Sequence, residues 1–107
     1  MYLQLASLWL NRPHAGFSDI HQFIEQCHQA SLQVNHESAA LAMLAQAAAS
    51  FTDRYEGAAV STDVVAQFLT QLRKSACALR DASAESDAEF LSALNAFAAN
   101  LASDIFM

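Results

Sequence analysis

Two glycines and one proline in 107 residues leave little material for tight turns, so an architecture of strands joined by short loops is poorly supported. Positive charge is scarce as well. Five basic residues face eleven acidic ones, for a net charge of −6, and only Arg73, Lys74 and Arg80 come near one another in sequence. A surface that tracks phosphates needs a basic patch, so nucleic acid is not an expected partner. With only two cysteines, Cys27 and Cys77, the chain lacks both a disulfide framework and the paired spacing of a zinc site. No apolar stretch approaches the roughly 20 residues needed to span a bilayer. The apolar run from Tyr2 to Leu10 has no Lys or Arg before it and no small-residue cleavage site after it, so it does not read as a signal peptide. A soluble cytoplasmic protein with no membrane contact is expected.

What the chain does have is alanine and a 54% hydrophobic composition, which together favour helix throughout. Ile20, Cys27, Val34, Leu41, Ala48 and Tyr55 fall at seven-residue intervals. Phe23, Ala30, Leu44 and Phe51 follow four of them by three residues, drawing one apolar seam along a helix. Cys27 sits on that seam as a small hydrophobe, whereas Cys77 lies off the seam of its own helix and is expected to be partly exposed.

The residues before the breaker at 11–16 form a short helix, with Leu5, Leu8 and Trp9 on one side, or an extended strand. Pro13 and Gly16 interrupt the chain there. Helix A is predicted over about 19–33, capped by Ser18 or Asp19, and helix B over about 36–56, ending at Gly57. The register runs unbroken from A to B, with Glu37 on a seam position, so residues 19–56 form one rod or two helices with Asn35 as the new cap. Ser61 or Thr62 opens helix C, which runs to about Ala82 on the seam of Val65, Phe68, Leu72 and Leu79. Ser86 and Glu89 form a capping box before helix D, about 87–105, whose large residues are Phe90, Leu94, Phe97, Leu101 and Ile105. The expected fold is all-α and single-domain over residues 1–107. It is an antiparallel up-down four-helix bundle or a long helical hairpin, with the N-terminal segment packed on it.

Chemistry is thinly represented. His14, His21 and His28 are seven residues apart, which on a helix is about 10 Å of rise, too far for two imidazoles to share a metal ion. His21, Glu25 and His28 have the three- and four-residue spacings that meet on one face, and they make the candidate metal or small-molecule site. Glu25 and His28 also form the Glu-x-x-His element of di-iron bundles, but the sequence contains no second copy. Neither a Gly-x-Ser-x-Gly turn nor a phosphate loop is present, and no enzymatic activity or cofactor is expected.

Two local resemblances end at their own departures. His36 near the start of helix B resembles the phospho-accepting histidine of histidine phosphotransfer domains, but position 39 is Ala where they usually carry Lys. Tyr55-Glu56-Gly57 is similar to the Trp-x-Gly of small secreted helical-hairpin proteins, with Tyr replacing Trp. Their C-terminal Tyr-then-acid motif is missing after Asp81.

The functional expectation rests on alanine. From Ala39 to Ala49 the only polar side chain is Gln46, and a helix apolar all round must be covered on more than one side. Ala93, Ala96, Ala98, Ala99 and Ala102 repeat the theme in helix D. The chain therefore reads as a non-enzymatic interaction or adaptor protein forming a homodimer. Its expected interface holds Ala40, Met43, Leu44, Ala47, Ala98 and Ala102, with a further protein partner conceivable. The alternative is a metal- or small-molecule-binding bundle using His21, Glu25 and His28.

Overall fold

A computed structural model describes residues 2–10, 17–32, 36–55, 57 and 61–102, excepting the side chains of Tyr2, Thr62 and Ala102. Within them the chain is all-helical: α1 Tyr2–Leu10, α2 Phe17–Ser31, α3 Ser38–Tyr55, α4 Thr62–Glu85 and α5 Asp87–Ala102. Principal extents are 42 × 26 × 21 Å, and the radius of gyration of 13.1 Å is that of a tightly packed chain of this length. Among the described residues no helix is long and apolar enough to cross a membrane.

The apolar seam settles how α2 and α3 meet. Ile20, Phe23, Cys27 and Ala30 of α2 are buried, as are Leu41, Leu44, Ala48 and Phe51 of α3, so the heptad positions face inward across the most extensively packed pair among the described helices. These helices are two and not one rod. The Leu32 N–H bonds back to the Gln29 carbonyl and closes α2, and Ser38 Oγ donates to the Ser31 carbonyl across the gap. Helix α2 begins at Phe17, so Ser18 and Asp19 lie inside its first turn and do not cap it. Asn35 as a cap, the breaker at 11–16 and the C-terminal residues past 102 lie outside the described residues.

Helices α4 and α5 make the second pair. Ser61 caps α4, its side chain accepting the Val64 N–H, and Phe68, Leu72, Ala76 and Leu79 form the buried stripe. The helix extends one turn beyond Ala82, to Glu85. Ser86 Oγ accepts the Glu89 N–H at 3.1 Å, which is the first half of the expected capping box. The Ser86 N–H bonds instead to the Ala82 carbonyl, closing α4 with the residue that opens α5. Phe90 and Phe97 anchor α5, with Leu94 and Leu101 packed partly against the core. Gly57 has φ +89, a conformation that an L side chain would strain, and it turns the chain after α3.

A column of rings joins the pairs. Phe17 stacks on Phe51 at 5.9 Å, Phe51 on Phe68 at 4.1 Å, and Tyr55 tilts against Phe51 at 5.0 Å.

Helix α1 lies chiefly along α4 and touches α2 and α3 lightly. It buries Leu3, Ala6, Ser7 and Leu10 while Leu5 and Leu8 face water, so the side carrying those two leucines points outward. Polar bonds hold both of its flanks. The Leu3 N–H donates to Glu37 Oε1 at 3.2 Å, placing a buried carboxylate at the positive end of the α1 dipole. Arg80 Nη1 donates to Ser7 Oγ at 3.2 Å, which in turn donates to the Gln4 carbonyl. Glu37 therefore occupies a seam position because its side chain accepts a hydrogen bond from a helix 34 residues earlier.

Candidate functional site: a groove between α1 and α2

Because α1 is held against α4, the space between it and α2 is only partly filled. Small residues face each other across it: Ala6 on α1, and Cys27 and Ala30 on α2. Phe23 and Leu41 complete its apolar lining, leaving a groove of about 330 Å³, a volume at the lower end of the range for small-molecule sites. Its floor residues are each less than 9% exposed, whereas Leu5 at the lip is 55% exposed. Three polar side chains, Glu25, Gln26 and Gln29, stand at the opening and are exposed. Trp9 tilts against Phe23 at 5.0 Å, so an indole abuts the wall of the groove.

The floor is dry in an electrostatic sense. Burial pushes the Cys27 thiol up to about 12, because a thiolate there would lose its hydration without gaining a compensating charge. Cys27 is therefore a poor nucleophile, and Cys77, half-exposed on α4, is the more accessible of the two free cysteines.

The other residues singled out by sequence are dispersed. His21, Glu25 and His28 are all exposed on α2, and of the three only Glu25 borders the groove. Among the described residues no three His, Cys, Asp or Glu side chains cluster closely enough to hold a metal ion. Ala40, Leu44 and Ala47 are at most 1% exposed, covered by neighbours within the same chain. Met43 is half-buried, Ala98 is exposed, and Ala102 ends α5.

His36 has a distinct setting in the bend before α3. Its Nε2 is 3.0 Å from Ser83 Oγ, its Nδ1 is 3.9 Å from Asp87 Oδ1, and its ring tilts over Phe90 at 4.7 Å. The order Ser, His, Asp matches a nucleophile, a base and an orienting acid. Catalytic relays, however, shelter the acid, and the Asp87 side chain is 98% exposed with no short bond to the ring. The cluster is a clasp between the bend at 36–37 and the α4–α5 elbow. Sequence reasoning missed both clasp and groove. The facing small residues Ala6, Cys27 and Ala30 were a signal for the groove, but it depends on where α1 lies.

Comparison with protein-family models, with characterised proteins and with solved structures finds no match, so function is argued from geometry alone.

Proposed function

We propose that this chain is a non-enzymatic helical interaction module that acts as a homodimer through the outer face of α5. In this reading residues 1–107 are one cytoplasmic domain, with α2 to α5 an antiparallel up-down four-helix bundle and α1 packed on it. Free cysteines suit a reducing compartment.

One observation carries the proposal. Leu91, Asn95, Ala98 and Ala99 are exposed on α5, running from the flank of the Phe90 and Phe97 stripe to the far side of the helix, and no charged residue occurs between Phe90 and Ala102. Elsewhere the chain meets water with a net charge of −6, and depletion of charge is the compositional mark of an interface centre. Leu91, 59% exposed, is the large apolar residue that α5 leaves in water on this face and the natural anchor. Small neighbours let a second helix approach near the lower end of the usual 8 to 10 Å separation.

Light scattering coupled to size exclusion tests this directly. A dimer at tens of micromolar that becomes a monomer in Leu91→Glu, with helicity unchanged, is the expected result. A monomeric wild-type chain at that concentration overturns the proposal.

A further inference from the structure

We propose that the α1–α2 groove is a binding site for a small cationic amphiphile, a molecule with an aliphatic or aromatic body and an amine head. The apolar part of the argument comes from the floor. Ala6, Phe23, Cys27, Ala30 and Leu41 are buried residues that nonetheless border a space of about 330 Å³. Displacing water from such a surface favours an apolar guest in proportion to the area covered. The raised Cys27 thiol marks the same place as inhospitable to charge, so a charged head has to remain at the opening.

The sign of that head follows from the rim. Among the described residues Glu25 is the only charged one bordering the groove, and Gln26 and Gln29 beside it offer neutral amides that accept as well as donate hydrogen bonds. A carboxylate or phosphate head would meet Glu25 as a like charge. An ammonium head would gain a partner and could also donate to the glutamine side-chain oxygens. The net charge of −6 biases encounter in the same direction.

The inference is independent of the α5 interface, because among the described residues the backbone of α5 approaches α3 and α4 and not α1 or α2. Trp9, the single tryptophan of the chain, lies against Phe23 and reports on occupancy.

The experiment titrates the full chain with decylammonium, decanol and decanoate below their micellar concentrations, following Trp9 fluorescence and calorimetric stoichiometry. Saturable binding of one molecule per chain is expected, with decylammonium ahead of decanol and decanoate weakest. An exposed ion pair supports a cation preference of about threefold to fivefold. Glu25→Gln should level decylammonium with decanol, and Glu25→Lys should place decanoate first. Glu25 is exposed, so both variants are expected to fold. Leu91→Glu should leave binding unchanged, which separates the fate of this site from that of the dimer. Ala30→Leu, which fills the groove, should abolish binding of all three probes. Non-saturating uptake, or an affinity order indifferent to residue 25, would show surface adsorption and overturn the proposal. So would saturable binding that survives in a folded Ala30→Leu variant.

Discussion

Helices α3 and α5 are both rich in alanine, yet one lies inside the molecule and the other along its edge. Eight residues of α3 are buried, four of them alanines. Helix α5 buries Phe90 and Phe97 and leaves Ala96, Ala98 and Ala99 in water. The difference comes from neighbours. Helix α3 packs on α2 and also touches α1, α4 and α5, whereas among the described residues α5 has only α4 and α3 beside it. Alanine content therefore signals tolerance of close packing, and the number of surrounding helices decides whether that tolerance is used.

The strongest way to test this contrast is to cut into the buried sides of both helices. Leu44→Ala on α3 and Phe97→Ala on α5 should each cost about 2 to 5 kcal/mol in chemical denaturation, because both leave cavities. A loss below about 0.5 kcal/mol at either position would remove that residue from the core. A sharper test enlarges matched alanines. Ala47→Leu has no room and should destabilise by about 1 to 3 kcal/mol, whereas Ala96→Leu, exposed on α5 and not among the proposed interface residues, should change stability by less than about 0.5 kcal/mol. Equal effects would erase the distinction between the helices.

Cys27 gives the comparison a pH dependence, since it belongs to the buried seam and Cys77 does not. With the folded thiol pushed up to about 12 from an ordinary value of 9.0, the unfolded chain loses its proton first. Stability is thus unaffected by this group below about pH 9. It should fall above that point by up to about 1.4 kcal/mol per pH unit, a slope that Cys27→Ala removes. In the folded protein at pH 8, iodoacetamide should label Cys77 well before Cys27, as mass spectrometry would show. The smallest effect belongs to the clasp. His36→Ala should cost less than about 1 kcal/mol, because its polar partners are solvent-exposed.

The helical pairs were legible in the sequence wherever burial repeats with helical period. Ile20, Phe23, Cys27, Ala30, Leu41, Leu44, Ala48 and Phe51, and Phe68, Leu72 and Leu79, lie inward on the seams that their spacing draws, while Val34 lies outside the described residues. The break between α2 and α3 was not legible, since the heptad register passes through it unchanged. Glu37 looked like an interruption because its partner, the Leu3 N–H, is distant in sequence. The orientation of α1 was hidden for a related reason: Leu3, Leu5, Leu8 and Leu10 offer apolar surface on both sides, and distant contacts, among them those from Glu37 and Arg80, select one. The groove depends on that selection, so no local pattern contains it.

The column of Phe17, Phe51 and Phe68 draws its rings from three different helices, and its closest stack, 4.1 Å, joins α3 to α4. Most other packing is between sequence neighbours, which lets each helical pair assemble quickly from local contacts. The rings, with the His36 clasp, are where one pair gains from the presence of the other. If α4 and α5 separate, Phe51 loses the face of Phe68 and the interior of the first pair is opened to water. The slowest-exchanging amides of α3 and α4 should therefore share one opening free energy and disappear together as denaturant rises, so that the two pairs open as a single cooperative unit.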